Sequence, residues 1–322
     1  MTLALKRRDH TPARKIENAL VVSKITSLMA AYKNHDAHYI ALVNSGDQTV
    51  KDSLPAHRQH LGSLESALRE LSRRNIKYKH VRVDELPMTR IGNEYDIVLV
   101  LGGDGTVIDV THRPSSVAIL GVNSAPDTSH GHFCLATPQT LGSLLDLIES
   151  DALAPLHIMR IRACIDGKVI GRPVLNEIFV NKAATQKYAP PRARYLLRID
   201  GREEEQSSEG MFFGTAAGST AWMRDYYCTV MDIEERRIQY LTRGGFIDPD
   251  KPLRLVKGFI QNPETMQLVS MMDEGFVAVD GTRNSFPFPR GSVLTIRPSR
   301  QDIRLYADPR CNDRYRNIPL SA

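Results

Sequence analysis

Five consecutive residues, Gly102 to Thr106, form a glycine-rich loop with one carboxylate inside it (GGDGT). The loop follows the apolar run Asp96 to Leu101, which is typical of a buried parallel strand. Its glycines leave backbone N–H groups accessible to a phosphate. A helix predicted over Thr106 to His112 adds partial positive charge at its N-terminus. The loop therefore predicts a phosphate-binding turn at the carboxyl end of a strand, where ligands of open α/β sheets bind.

Asp104 is an anion inside a loop that suits anions. This conflict suggests a role for its charge, either in accepting a proton from an attacking hydroxyl or in positioning a magnesium ion. A tight strand-to-helix turn with a capping aspartate explains the same spacing equally well. The loop matches neither GxxxxGK[ST] nor GxGxxG, so those two nucleotide-binding folds lose support.

A second segment, Phe212 to Trp222 (FFGTAAGSTAW), combines small residues, hydroxyls and the only tryptophan of the chain. Small residues let a flat ligand lie against the backbone, and an aromatic ring can stack on a base or on nicotinamide. A tightly packed strand-to-helix junction with a core tryptophan also explains the segment. Taken alone, the segment favours that second interpretation.

A polar pair, Asn176-Glu177, interrupts the apolar run Leu175 to Val180. Burying two such side chains without partners costs free energy. They therefore either hydrogen-bond the hydroxyls of a ligand or face water on a strand. In isolation the pattern favours the water-facing arrangement.

Strands and helices alternate in the first half of the chain, around the glycine loop. Strands are predicted over His38 to Val43, Ile76 to Val83, Asp96 to Leu101 and Val117 to Val122. Helices are predicted around Leu61, Leu64, Leu68 and Leu71, over Thr106 to His112, and over Thr140 to Glu149. This order predicts an α/β N-terminal domain with a mostly parallel sheet over residues 1–148.

Closely spaced strand-like runs replace this pattern after about residue 150. Asp-Gly pairs at 166, 200 and 280 separate such runs, and Asp-Gly favours tight hairpin turns. Strands are predicted over His157 to Ile165, Leu175 to Val180, Tyr195 to Ile199, Phe276 to Val279 and Val293 to Ile296. We expect a β-rich C-terminal domain over 149–300. We also expect a tail, 301–322, that packs back on the first domain or on a neighbouring subunit.

Composition argues for an ordinary globular enzyme, with 42% hydrophobic and 25% charged residues and a net charge of +5. The one basic cluster, Lys6, Arg7, Arg8, Arg14 and Lys15, is interpreted as a solvated tail, so no nucleic-acid partner is expected. No apolar run reaches the roughly 20 residues that cross a bilayer, so no membrane partner is expected. Cysteines at 134, 164, 228 and 311 lack CxxC spacing and are interpreted as free thiols. We expect a cytoplasmic protein, with import into an organelle as the alternative.

Together the three segments resemble the NAD kinase family, in which a GGDGT loop, an Asn-Glu or Asn-Asp pair and a TPTGSTAY-like segment occur in this order. Here they are Gly102 to Thr106, Asn176-Glu177 and Thr215 to Trp222. The resemblance spans roughly residues 95 to 285. It implies the NAD kinase-like two-domain fold and phosphorylation of the 2′-hydroxyl on the adenosine ribose of NAD or NADH. ATP would be the donor and Mg²⁺ the cofactor, although polyphosphate is also used in this family.

The resemblance also assigns roles by position. Asp104 would accept the proton of the ribose hydroxyl, and Asn176 and Glu177 would hold ribose hydroxyls. The other nucleotide-binding positions would be Gly103, Gly105, Thr106, Glu209, Thr220, Ala221, Trp222 and Asp225. Glu209 stands where the family often has an aspartate, and no residue is assigned as a protein ligand of a metal. Members of the family are commonly homodimers or homotetramers.

Three departures from the family pattern bear on the substrate. Ala216-Ala217 replace Pro-Thr, Trp222 replaces Tyr, and the stretch Gly121 to Cys134 is longer than usual. These features are similar to a divergent branch that includes plant NADH kinases, where TAAGSTA is familiar. They leave the choice between NAD and NADH open.

Two alternative functions share parts of this pattern. A lipid kinase of the diacylglycerol or sphingosine kinase type has the GGDGT loop but predicts neither the Asn-Glu pair nor the GSTAW segment. A non-catalytic dinucleotide sensor would keep the binding residues without needing Asp104.

Overall fold

The computed structural model describes residues 15–183, 192–246, 248–316 and 318. Of the basic N-terminal cluster, Lys6, Arg7, Arg8 and Arg14 lie outside these residues. The chain divides into two compact units, Met1–His157 with Ile303–Cys311, and Ile158–Asp302 with Asn312–Ala322. In the described parts of the chain, no helix is both long and apolar enough to span a membrane.

The first unit is built on a six-stranded sheet in the order β2-β1-β3-β4-β18-β5. Its strands are β1 (Asn18–Ser23), β2 (Lys77–Arg82), β3 (Ile97–Gly102), β4 (Ala118–Asn123), β5 (Leu156–Ile158) and β18 (Ile303–Tyr306). β1 pairs in parallel with β2 and β3, and β4 pairs in parallel with β3 and β18. Every residue of β3 and β4 is buried, as expected for central strands of a parallel sheet.

Helices connect the strands of this sheet: α1 (Ser27–Lys33), α2 (Ala37–Ser45), α3 (Ser53–Arg73), α4 (Asp104–Thr111) and α5 (Leu141–Glu149). α3 buries Ala67 and Leu71, and α5 buries Leu141, Leu144, Leu145 and Ile148. These side chains join the strand residues in one hydrophobic core. The predicted α/β class of this domain is confirmed.

One prediction in this unit is wrong, and one strand is missing from the predictions. His38 to Val43 lies inside α2, not in a strand, because Asp36 caps the helix by accepting from the Tyr39 N–H, and Gly46 ends it in the left-handed region. The six-residue apolar run fits either structure, and the capping residues decide. The strand that opens the sheet is instead β1, whose short buried stretch (NALVVS) was not predicted.

The second unit contains two six-stranded sheets. One has the order β10-β9-β14-β17-β6-β7, and the other β13-β12-β11-β8-β15-β16. The strands are β6 (Ile161–Ile165), β7 (Lys168–Val174), β8 (Glu177–Lys182), β9 (Ala193–Ile199), β10 (Arg202–Ser208), β11 (Gly210–Gly214), β12 (Ile238–Arg243), β13 (Lys257–Ile260), β14 (Gln267–Ser270), β15 (Gly275–Val279), β16 (Ser285–Pro287) and β17 (Val293–Pro298). Residues of both sheets share one core, and the β-rich class of this domain is confirmed.

The predicted Asp-Gly turns differ in kind. Asp166-Gly167 and Asp200-Gly201 each form a two-residue hairpin with both φ angles positive, as a type I′ turn requires. Asp280-Gly281 begins a longer loop, in which the Val279 N–H donates to the Asn284 carbonyl. The predicted strand His157 to Ile165 is split between β5 and β6, which belong to different sheets.

Candidate active site

The glycine loop lies where the sequence predicts it, at the carboxyl end of β3. Gly102 is the last residue of β3 and pairs with Asn123, the last residue of β4. Gly103 is the N-cap of α4, so the helix begins at Asp104, two residues earlier than predicted. The first N–H groups of a helix lack intrahelical acceptors. The loop therefore presents backbone donors beside the carboxylate of Asp104.

Asp104 does not cap its own helix. Its Oδ1 instead accepts a hydrogen bond of 2.7 Å from the N–H of Phe133, in the stretch that follows β4. The side chain is half-buried, and among the described residues this bond engages only one carboxylate oxygen. The capping interpretation is thus wrong, and Asp104 is held by a neighbouring loop with one oxygen left for a ligand.

In the rest of the loop, Gly102 is tightly packed and Gly105 is accessible. Thr106 is buried and packs so closely over Gly102 that a Cβ atom at Gly102 would overlap its hydroxyl. A Cβ atom at Gly105 would meet nothing within 4 Å. Beside the loop, burial and the charge of Asp104 raise the pKa of Cys134 to about 12, which keeps that thiol neutral. The open side of the loop is therefore at Gly105.

In the second unit, Asn176 and Glu177 are buried, with 8% and 4% of their surface exposed. The favoured sequence interpretation, that they face water, is wrong. The carboxylate of Asp280 fixes the backbone here, because it accepts from the N–H groups of Leu175 and Asn176 at 3.0 and 2.7 Å. The sequence identifies Asp280 only as a turn residue. No local sequence pattern indicates that its carboxylate binds the backbone at Leu175 and Asn176.

Two buried oxygens of the pair have no hydrogen-bond partner within the described part of the chain, Asn176 Oδ1 and Glu177 Oε2. Burial raises the pKa of Glu177 to about 8, and the negative charge of Asp280 adds to that shift. An unsatisfied buried acceptor costs free energy unless a ligand or water satisfies it. Each of these two oxygens is therefore suited to accept a hydrogen bond from a ligand.

The small-residue segment packs directly against this pair. The N–H of Thr215 donates to the Asn176 carbonyl at 3.0 Å, and the Thr215 hydroxyl donates to the Leu175 carbonyl. A Cβ atom at Gly218 would overlap the Asn176 carbonyl oxygen, so only glycine permits this approach. From the other side, the Asn312 amide donates to the carbonyls of Ala216 and Met231. The predicted close backbone packing is present, and it serves to hold the Asn-Glu pair.

The remaining predicted residues of this segment lie in two 3₁₀ turns, Gly218–Thr220 and Trp222–Tyr226. The Thr220 hydroxyl donates to the Ala217 carbonyl, and Asp225 is exposed. The half-buried ring of Trp222 contacts Phe179 and Phe212, with centroids 4.9 and 5.1 Å away. The ring therefore packs against two aromatic side chains, which agrees with the favoured interpretation of Trp222 as a core residue.

Glu209 is exposed and lies between β10 and β11. Its carboxylate is 3.5 Å from the guanidinium of Arg243. That guanidinium in turn lies over the ring of Tyr226, in the same 3₁₀ turn as Trp222. A chain of contacts thus joins Glu209 to the 3₁₀ turn that contains Trp222.

Comparison with known proteins gives a consistent result. No protein-family model matches the chain. A probable NADH kinase from Oryza sativa subsp. japonica is 28% identical over 271 residues, 77% of this chain and 80% of that protein. The NADH kinase of Arabidopsis thaliana is 25% identical over 260 residues, 74% and 80% of the two chains.

Among solved structures, the chain resembles an NAD kinase from Archaeoglobus fulgidus in complex with ATP, with a TM-score of 0.62. The match covers 92% of this chain and 96% of that chain at 17% identity. Likeness at that identity establishes the shared fold.

Proposed function

The chain belongs to the NAD kinase family, and from this premise we propose that it transfers the γ-phosphoryl group of ATP to the 2′-hydroxyl of the adenosine ribose of NAD or NADH. The observation that carries the proposal is the buried pair of acceptors, Asn176 Oδ1 and Glu177 Oε2. A ribose offers two hydroxyl donors, one for each of these unsatisfied acceptors. A lipid acceptor would not need such a pair.

Asp104 is the proposed proton acceptor. In the reaction, the ribose oxygen forms a bond to the γ-phosphorus, the bond from that phosphorus to the β,γ-bridging oxygen breaks, and ADP leaves. The hydroxyl proton passes to the carboxylate of Asp104, because a ribose hydroxyl is a weak nucleophile until its proton is removed. Support comes from the hydrogen bond to Phe133, which orients the carboxylate and occupies only one of its oxygens.

Magnesium is proposed to arrive with the donor. In the described ranges, no three His, Cys, Asp or Glu side chains come together as a metal site. Magnesium commonly binds through one or two carboxylates plus substrate phosphates, which fits a loop with a single half-buried carboxylate, Asp104. When bound, the ion neutralises charge on the migrating phosphoryl group.

The other predicted nucleotide contacts remain proposals. We assign Gly103, Gly105 and Thr106 to the first unit's nucleotide surface, and Thr220, Ala221, Trp222, Asp225 and Glu209 to the second unit's. The contacts of Trp222 with Phe179 and Phe212 support a role as a fixed wall of the pocket. A fixed wall discriminates by shape, so it bears on the oxidised or reduced nicotinamide ring.

Both plant relatives are named NADH kinases, and we propose that this chain accepts NADH as well as NAD. We also propose that it acts in the cytoplasm as a homodimer or homotetramer. All four cysteines are free thiols, which fits a reducing compartment. Sedimentation equilibrium of the purified protein tests the assembly directly.

Activity is tested by incubating the protein with Mg²⁺, ATP and one of three acceptors: NAD, NADH or diacylglycerol. We expect NADP or NADPH from the dinucleotides and no phospholipid. Formation of phospholipid would indicate a lipid kinase instead. Dinucleotide binding without product would indicate a non-catalytic sensor.

A further inference from the structure

The parallel sheet of the first unit has a topological switch point between β1 and β3. From β1 the chain crosses through α1, α2 and α3 to β2 on one side, and then returns to β3 on the other side. Ligands of open α/β sheets bind in the crevice outside the carboxyl ends of two such strands. The carboxyl end of β3 carries Gly103 and Asp104, and the carboxyl end of β1 carries Lys24.

Lys24 is a half-buried cation at the carboxyl end of β1. Its N–H donates to the Leu101 carbonyl at 2.8 Å, which fixes its backbone against the end of β3. Within the described residues, no carboxylate forms an ion pair with its side chain. Burial alone lowers the pKa of Lys24. A lysine that is partly desolvated and unpaired is costly by itself, and an anionic ligand removes that cost.

His60 gives an independent sign of a ligand at the same place. The side chain is fully buried on α3, its Nδ1 is 2.9 Å from the Ser124 hydroxyl, and its Nε2 has no partner in the described chain. Burial and the charge of Lys24 lower the pKa of His60 to about 4, so the ring is neutral. Ser124 itself donates its N–H to the Gly102 carbonyl at 3.1 Å.

Two histidines contact the hydroxyl groups that flank Lys24 in the sequence. His57 is bonded to the Thr26 hydroxyl at 2.8 Å, and His80 to the Ser23 hydroxyl at 2.9 Å. The crevice therefore supplies the cation that the glycine loop lacks, since the only charged side chain of that loop is the anion Asp104.

We propose that Lys24 binds the phosphate chain of the phosphoryl donor, with His60 Nε2 as a neutral hydrogen-bonding partner. The proposal rests on the kinase function for the identity of the donor, but not for the existence of an anion site. Lys24 then holds the phosphates at the end of β1, beside the carboxylate that deprotonates the acceptor at the end of β3. Because Lys24 would bind the phosphates and Asp104 would accept the proton, an anion can occupy the centre of the phosphate-binding loop.

The test compares Lys24→Met, Lys24→Arg and Lys79→Met with the wild-type protein. Lys79 is an exposed residue of β2, so its substitution removes the same charge outside the crevice. Titration calorimetry measures binding of inorganic tripolyphosphate, Mg·ATP and NAD(H), and kinetics give KM for ATP. We expect Lys24→Met to weaken tripolyphosphate and raise KM for ATP by about tenfold to a hundredfold. NAD(H) binding should stay unchanged, and Lys24→Arg should restore most of the loss.

Unchanged tripolyphosphate binding in Lys24→Met would overturn the proposal. So would a loss confined to NAD(H), because Lys24 would then serve the acceptor, or an equal loss in Lys79→Met. If the wild-type protein phosphorylates no dinucleotide but Lys24→Met alone loses tripolyphosphate, the anion site stands and the kinase assignment fails. Circular dichroism confirms that each variant is folded before binding is compared.

Discussion

Replacing Glu177 with glutamine should stabilise the ligand-free protein while weakening its binding of NAD(H). The substitution keeps the shape of a side chain that is 4% exposed, and it removes the ability to ionise. Burial holds the pKa of Glu177 at about 8, against an ordinary value of 4.5. The folded protein therefore binds this proton more tightly than the unfolded chain does.

The size of the effect follows from that difference. An acid with a raised pKa contributes its full stability below pH 4.5, and this stability falls as the pH rises toward 8. Within that window the loss is about 1.4 kcal/mol per pH unit. Glutamine does not titrate, so the advantage of Glu177→Gln over wild type should grow from about 1 kcal/mol at pH 5 to about 3 kcal/mol at pH 7.

Urea denaturation followed by circular dichroism at pH 5, 6, 7 and 8 measures this trend. Glu203→Gln is the matched control, since Glu203 lies on β10 with more than half of its side chain exposed. An exposed pair such as Glu203 with Arg198 is worth less than about 1 kcal/mol. A variant at position 177 that is less stable than wild type at pH 7, or equally stable at every pH, would refute the reasoning from burial.

Other consequences follow from the same site. The wild-type affinity for NAD(H) should rise as the pH increases from 6 to 8, because ribose hydroxyls donate to the ionised form of Glu177; calorimetry should show no such rise in Glu177→Gln. Gly218→Ala should weaken NAD(H) binding more than tenfold and lower stability by about 1–3 kcal/mol, because its Cβ overlaps the Asn176 carbonyl. Gly62→Ala, on an open face of α3, is its control and should be neutral or slightly stabilising, so equal losses in both variants would contradict the packing argument.

Long or strongly patterned elements were predictable from sequence, and short ambiguous ones were not. The buried run that forms β3 and the leucine repeat of α3 have lengths and periods that favour one structure. His38 to Val43 is a six-residue, largely apolar run that fits a strand or a helix equally well. Asp36 and Gly46 decide in favour of the helix, and those caps are recognisable in the sequence once they are considered together.

The sequence motifs single out residues of the candidate site, but they do not reveal how deeply those residues are buried. The motif order identifies Asp104, Asn176 and Glu177, whereas burial, which sets the pKa of Glu177, depends on strands that are distant in the chain. Asp280 is 104 residues from the Asn176 N–H that it accepts from. A contact over such a separation leaves no local pattern, so only the folded chain reveals it.

The most direct test of the central claim is the position of the new phosphate. The protein, or its Asp104→Asn variant, is incubated with Mg²⁺, ATP and NAD or NADH, and the product is analysed by ³¹P NMR. We predict a phosphomonoester at the 2′ position of the adenosine ribose. Turnover should be about 10²- to 10⁴-fold lower in Asp104→Asn, while Asp109→Asn, exposed on the same helix, should retain normal turnover. Absence of any phosphorylated dinucleotide from the wild-type protein, or normal turnover in Asp104→Asn, would contradict the account.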